Sequence, residues 1–211
     1  MHFDSHGFGT YLHLLSGELL LLFSSGNETT EDREILLKNI RATGEMSDEE
    51  EAVFKKHMRY VVLQAGQMWY MEPGTLHALY RDEGTIIFSG HFIPKRQLGL
   101  WIEKMKEHLR WYDSTNEDPE NVLLYPSKVL ELISNADKRG VLYNGDWGDR
   151  EEIVHFFLGA RELLENGMSW IKQKDGWQSI KGKEWGDAWR TQSDRILKQH
   201  ETLLRPGKVS E

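Results

Sequence analysis

The segment Val61–Phe92, VVLQAGQMWYMEPGTLHALYRDEGTIIFSGHF, carries the clearest strand pattern of this 211-residue chain. Apolar and aromatic residues recur at every second position from Val61 and again from Met68, which is the period of a pleated strand. Ala65-Gly66 and Pro73-Gly74 interrupt the runs as turns, because proline fixes φ and glycine accepts positive φ. The segment therefore predicts short strands joined by tight turns, with further runs at 75–80 and 85–88.

A second pair of strands is predicted nearer the start of the chain. Phe8–Leu15 and Glu18–Phe23 are strand-like runs on either side of Ser16-Gly17, and this arrangement indicates a β-hairpin. His77 follows the Pro73-Gly74 turn directly, where a rigid scaffold can hold a side chain at a rim. A single histidine on an apolar strand is more often structural than a ligand, so His77 needs partners elsewhere.

His2 and Asp4 could be such partners, because they are two residues apart and share one face of an extended segment. Two imidazoles and one carboxylate form a facial triad that leaves coordination positions open and suits non-haem Fe(II). The His-x-Asp pattern is also frequent by chance, and the alternative is a solvated chain terminus. The residues alone thus leave the choice between a ligand pair and a surface segment open.

Composition limits the classes of function. Hydrophobic content of 39% and charged content of 28% are ordinary for a globular protein. The net charge of -8 argues against a dominant nucleic-acid surface. The absence of cysteine excludes disulfides and thiolate ligands, so a metal would need histidine and carboxylate. No run has the length of a membrane span and no secretory signal is visible, so we expect an intracellular protein without a membrane partner.

Several motifs together resemble a JmjC domain, of the type found in many copies in fungi, over about residues 2–92. The order of the motifs, their turns and the separation between His-x-Asp and the distal histidine all match that family. The matching segments are HFD (2–4), GFGTY (7–11), SGE (16–18), AGQM (65–68), PGTLHA (73–78) and SGHF (89–92).

The resemblance implies an α+β fold. Its first part would be a partial double-stranded β-helix of the jelly-roll or cupin type, residues 1–112, with a helical insert at about 27–59. A helical C-terminal region, residues 113–211, would follow. The resemblance also implies Fe(II) held by His2, Asp4 and His77, with 2-oxoglutarate as cosubstrate. The reaction would be oxidation of a protein side chain by O2, which on an N-methyl lysine ends in demethylation.

Two departures from the family pattern concern 2-oxoglutarate. The lysine that usually pairs with its far carboxylate is replaced by Leu19, and a polar residue that often helps is replaced by Leu12. An unpaired buried carboxylate is costly, so the two leucines disfavour binding of 2-oxoglutarate. Thr10 and Tyr11 are candidates for lining the cofactor pocket, although ordinary strand packing explains them equally well. His91 lies where the family often has asparagine or histidine.

Strands that precede the His-x-Asp motif in JmjC domains have no counterpart here, so the domain is expected to be N-terminally incomplete. Three readings follow. The first is a 2-oxoglutarate-dependent dioxygenase of the lysine-demethylase or hydroxylase type, with a histone or another methylated protein as substrate and a nuclear or cytoplasmic location. The second is a catalytically inactive cupin-like fragment that serves as an interaction module. The third is a metal-only cupin. The sequence predicts no oligomeric state.

Helical patterns occupy the remaining parts of the chain. Ser47-x-x-Glu50 is a capping-box pattern, which predicts the start of a helix inside the insert. Leu98, Trp101, Ile102, Met105 and Leu109 form an amphipathic stripe, which we expect to pack on the β-helix. Glu151–Leu164 also has helical spacing, so the C-terminal region is predicted to be helical.

Overall fold

The computed structural model describes residues 1–40, 45–111, 122–172 and 180–204. The predicted α+β class is confirmed, because the described residues form two three-stranded antiparallel sheets and seven α-helices. Contacts divide the chain into two compact units, one formed by Met1–Phe92 and the other beginning at Ile93.

The first unit contains every strand of the two sheets. A single 3-10 turn, Ser5–Gly7, precedes the strands. The strands are β1 (Gly9–Ser16), β2 (Glu18–Ser24), β3 (Met58–Gln64), β4 (Met68–Met71), β5 (His77–Arg81) and β6 (Ile86–Phe92). The alternating pattern of the sequence thus located the strands after Val61, and the predicted turns carry positive φ at Gly66 and Gly74.

The two sheets have the strand orders β4-β1-β6 and β3-β2-β5. Consecutive strands β1 and β2 therefore belong to different sheets, and the prediction that they pair as a hairpin was wrong. The chain turns between the sheets at Gly17, whose φ is +80° and whose Cβ, if present, would lie 2.6 Å from Thr85 Oγ1. Only glycine accepts both this backbone angle and this close approach without strain. Gly17 therefore forms the corner at which the chain passes from one sheet to the other.

Leucines from both sheets form the core of the first unit. Alternate residues of one strand point to one face, and the buried members of each strand follow this period. Residues from β1 and β4 pack in one cluster with residues from β2 and β3, so the two sheets share a core. The buried residues of this cluster are Leu12, Leu14, Leu19, Leu21, Leu63 and Met71.

Two helices, α1 (Thr30–Asn39) and α2 (Asp48–His57), connect β2 to β3 and form the predicted insert. The capping box is confirmed, because the Glu50 amide donates to Ser47 Oγ and the Ser47 amide donates to the Glu50 carboxylate. These two bonds satisfy amide groups that a helix start otherwise leaves unpaired. The start of α2 is thereby fixed by local sequence.

The second unit is helical. Its helices are α3 (Leu98–Arg110), α4 (Leu124–Lys138), α5 (Arg150–Lys172), α6 (Ile180–Gln199) and α7 (Glu201–Leu204). The apolar stripe of α3 is buried among residues of α4, α5 and α6, whereas we expected it to cover the β-strands. The close approach of α3 and α5 is possible because Gly159 faces Ile102, where a Cβ would lie 2.6 Å from the isoleucine side chain.

The division between the units falls at Phe92/Ile93, whereas the expected division was at residue 112. The difference arises because the stripe of α3 has its apolar partners in the helical core. Residues 112–121, which contain the expected boundary, lie outside the described residues. No helix among the described residues is both long enough and apolar enough to cross a lipid bilayer.

Candidate metal centre

Backbone hydrogen bonds bring the two ends of the predicted triad together. The His2 amide donates to the His77 carbonyl at 2.9 Å, and the His77 amide donates to the His2 carbonyl at 2.8 Å. The two residues thus form an antiparallel bridge at the start of β5. Their imidazole rings lie with centroids 4.4 Å apart. Main-chain hydrogen bonds therefore bring together two residues that are 75 positions apart in sequence.

Asp4 completes a compact group of donor atoms. Its Oδ1 atom lies 3.8 Å from His2 Nε2 and 3.8 Å from His77 Nε2. One ligand atom from each of the three residues falls within 4.8 Å of the others, and this is the one such group of three among the described residues. His77 is buried, whereas His2 and Asp4 are partly open to solvent. Two imidazoles and a carboxylate are donors that suit a first-row divalent metal such as Fe(II).

The imidazoles are prepared to act as neutral donors. His77 Nδ1 lies 3.0 Å from the Thr75 carbonyl, which can only accept, so Nδ1 donates and the lone pair of the neutral ring is on Nε2, 3.8 Å from Asp4 Oδ1. Metal-bound histidines usually have such a partner on the other ring nitrogen. Burial and the neighbouring His77 lower the pKa of His2 below its usual 6.5, although Asp4 opposes this change. Burial thus favours the neutral form of His2, which is the form that binds a metal.

Thr10 and His91 hold the second oxygen of the Asp4 carboxylate. The Thr10 hydroxyl donates to Asp4 Oδ2 and lies 2.8 Å from His91 Nδ1. Because a hydroxyl has one proton, which is engaged with Asp4, His91 Nδ1 must donate to Thr10. The ring of Phe8 stacks on His91 with centroids 5.8 Å apart. Oδ1 of Asp4 is thereby left pointing toward the two imidazoles.

The structure separates Thr10 from Tyr11, which were predicted together as pocket residues. Thr10 is buried beside Asp4, whereas Tyr11 lies on the other face of β1, across from Gly90 and in ring contact with Phe88 at 5.9 Å. Neighbouring residues of a strand point to opposite faces, so both could not line one pocket. Tyr11 is therefore not part of the cluster. The hydroxyl contact from Thr10 to Asp4 was missed, because it depends on the turn at Ser5–Gly7.

The two leucines at the positions discussed for 2-oxoglutarate are core residues. Leu12 is 3% exposed and Leu19 is fully buried, both in the shared core of the sheets. Neither side chain can pair with a carboxylate. The donor set of the cluster fits a metal, whereas Leu12 and Leu19 do not fit the far carboxylate of 2-oxoglutarate.

No protein-family model matches the chain, and no curated protein matches it.

Proposed function

We propose that residues 1–92 form part of a JmjC-like double-stranded β-helix that binds one divalent metal ion through His2, Asp4 and His77. The observation that carries the proposal is the convergence of these three side chains, with one donor atom from each within 4.8 Å. By resemblance the metal is Fe(II), and the class of activity is 2-oxoglutarate-dependent oxidation of a protein side chain, such as a methylated lysine in a histone. Fe(II), when bound, would supply the redox centre for that chemistry.

The chemistry of the three side chains also favours a metal ion at this cluster. Both imidazole Nε2 atoms lie 3.8 Å from the same oxygen, Asp4 Oδ1, and the Thr75 carbonyl beside His77 Nδ1 leaves the lone pair of the neutral ring on Nε2. Histidine and carboxylate together suit Fe(II), Mn(II) and related ions, and three ligands leave positions for exchangeable groups. The role of these residues is thus to hold and orient a metal at the rim of the sheets.

A second candidate is a cupin-like module that binds a partner without catalysis. The leucine core at Leu12 and Leu19 favours it, because these side chains offer no charge to a cosubstrate. A metal-only cupin would share the triad but would bind its metal independently of 2-oxoglutarate. The three candidates therefore differ in two measurable properties, metal binding and its dependence on 2-oxoglutarate.

The test is an anaerobic calorimetric titration of the chain with Mn(II), a redox-silent substitute for Fe(II), with and without 2-oxoglutarate. The dioxygenase proposal expects metal binding that 2-oxoglutarate tightens, followed by succinate formation with Fe(II) and a protein substrate. Metal binding that is indifferent to 2-oxoglutarate would support the metal-only cupin. An absence of metal binding would contradict the proposed site and leave the interaction module.

A further inference from the structure

Arg33 joins the helical insert to the turn that precedes the candidate ligand His77. This arginine belongs to α1 and is 8% exposed. Its Nη2 atom donates to the Gly74 carbonyl at 2.6 Å, and its Nη1 atom lies 3.5 Å from a carboxylate oxygen of Glu28. The Glu28 side chain is 3% exposed. The guanidinium is thus buried between a carboxylate and a main-chain carbonyl.

The turn that Arg33 contacts is itself covered. Pro73 and Gly74 are both buried, whereas most turns run over the surface of a protein. The Thr75 amide closes the turn by donating to the Glu72 carbonyl at 3.2 Å. A buried main-chain carbonyl needs a donor, because on folding it loses its hydrogen bonds to water. Arg33 supplies a donor to Gly74, so the guanidinium holds the orientation of this peptide group.

The peptide group that Arg33 holds leads directly to the hydrogen-bond partner of His77. The Gly74 and Thr75 carbonyls belong to consecutive peptide units, each of which is planar, and one Cα atom connects them. The Thr75 carbonyl lies 3.0 Å from His77 Nδ1. Only the two torsion angles of Thr75 therefore separate the peptide group held by Arg33 from the one that accepts a hydrogen bond from the imidazole.

We propose that Arg33 is a positioning residue for His77. By holding the Gly74 carbonyl it keeps the Thr75 carbonyl in place beside His77 Nδ1, which leaves the lone pair of the neutral ring on Nε2 for a metal. The role of Arg33 rests on the proposed function, because the helical insert contributes to metal affinity only if His77 is a ligand. An arginine that only attached the insert to the sheets would affect stability and leave the imidazole unchanged.

The test compares two variants that both lack the ion pair of Arg33 with Glu28. Glu28→Gln keeps the hydrogen bond from Arg33 to Gly74. The double variant Glu28→Gln, Arg33→Met removes that bond, and it leaves no buried charge without its partner. Lys38→Met is the matched control, because Lys38 is an exposed cation of the same helix. Urea unfolding measures the stability of each variant.

Two further measurements are made on each protein. Nitrogen NMR of metal-free protein with isotope-labelled histidine, at about pH 8 where histidine is ordinarily neutral, reports which ring nitrogen of His77 carries the proton. His77→Gln identifies the signal. Calorimetric titration with Mn(II), without O2, measures metal affinity. The first measurement reports on the hydrogen bond of His77 without any metal, and a merely structural role of Arg33 would not change it.

Glu28→Gln should lose stability, because it leaves a buried guanidinium without a carboxylate, and still carry the His77 proton on Nδ1 with unchanged Mn(II) affinity. The double variant should show a mixture of the two tautomers and bind Mn(II) roughly 10-fold more weakly, the lower end of the usual loss for an outer partner of a ligand. Lys38→Met should behave as the unaltered protein. Stability and metal affinity should therefore change in different variants.

Equal tautomer populations in Glu28→Gln and the double variant would overturn the role of Arg33. A changed tautomer with unchanged Mn(II) affinity would overturn the contribution of the insert to the metal site. Failure of the unaltered protein to bind Mn(II) would overturn the metal site alone, because NMR of the metal-free protein still decides whether Arg33 positions His77.

Arg33→Lys decides the question if the double variant does not fold. Lysine ends in one nitrogen, whereas arginine reaches Gly74 and Glu28 with two. This variant should keep the buried charge and show a partial change in both the His77 tautomer and the Mn(II) affinity. In that case, values equal to those of the unaltered protein in both measurements would overturn the proposal.

Discussion

Asp4 presents its two carboxylate oxygens to different partners. Oδ1 faces the imidazoles of His2 and His77, and Oδ2 accepts the hydroxyl proton of Thr10. His91 donates to Thr10 in turn, at 2.8 Å. This chain of hydrogen bonds reduces the rotation of the carboxylate, so that one oxygen is oriented for a metal before it binds.

Thr10 is therefore expected to act as a positioning residue for Asp4. Thr10→Val keeps the shape of the side chain and removes the hydroxyl, so it should weaken Mn(II) binding roughly 10- to 100-fold, as the loss of an outer partner of a ligand usually does. Thr10→Ser keeps the hydroxyl and should bind nearly as the unaltered protein. The measurement is calorimetric, and equal Mn(II) affinity of the valine and serine variants would contradict this role.

The sequence predicted the three candidate ligands but not the hydrogen bonds that surround them. His2 and Asp4 share a face by simple strand geometry, and His77 follows a recognisable turn. The bond from Thr10 to Asp4 spans six residues and a 3-10 turn in which His6 has a φ of 57°, an uncommon value for histidine. No periodic pattern of residues in the sequence predicts such a turn. Tyr11 was a candidate for the pocket beside Thr10, with strand packing as the alternative, and it lies on the opposite face of β1 from Thr10, in ring contact with Phe88.

At the scale of elements, the strands were predictable but their partners were not. Alternation of apolar residues is a local signal, and it located the runs after Val61. Assignment of a strand to a sheet depends on contacts between residues that are distant in sequence. The step from β1 to β2 resembles a hairpin in sequence, since Ser16-Gly17 is a turn signal. In the structure the same glycine allows the chain to pass from one sheet to the other.

Gly17→Ala tests this role of the corner. The variant should lower the free energy of unfolding by about 1–3 kcal/mol for the left-handed backbone alone, with a further loss from the contact to Thr85. Gly66→Ala is the matched control, because its φ of +89° is similar but a Cβ there would meet nothing within 4 Å. Urea unfolding measures both, and an equal loss in the two variants would show that the close approach to Thr85 is unimportant.

The whole chain divides into a unit of strands and a unit of helices, and each has its own core. The helical class of the second unit followed from the spacing of its apolar residues. Membership of α3 in that unit could not be predicted, because an amphipathic stripe shows that a helix is covered and not what covers it.

The helical unit should lose stability in mild acid because of His200. This residue is 4% exposed, and its Nε2 atom has no hydrogen-bond partner among the described residues. Burial lowers its pKa below the usual 6.5, while Glu131 opposes and Lys138 reinforces the change. As the pH falls below 6.5, the unfolded chain therefore binds more protons than the folded chain does. The contribution of neutral His200 to the free energy of unfolding is complete above pH 6.5 and is lost as the pH falls through the lower pKa of the folded state.

His200→Phe keeps a ring at this position and removes the titrating group. Urea unfolding at several pH values on both sides of 6.5 should show a smaller fall in stability for the variant than for the unaltered protein. The helical signal in circular dichroism is the appropriate probe. The same pH dependence in both proteins would assign the effect to another group.

The most direct test of the central claim is the stoichiometry of Mn(II) binding, measured by the loss of the free-ion signal in electron paramagnetic resonance. The account predicts one bound ion per chain, absent in His77→Ala and unchanged in His13→Ala, since His13 is on the outer face of β1 and outside the cluster. Equal Mn(II) binding by His77→Ala and the unaltered protein would contradict the site, as would the absence of binding in the unaltered protein.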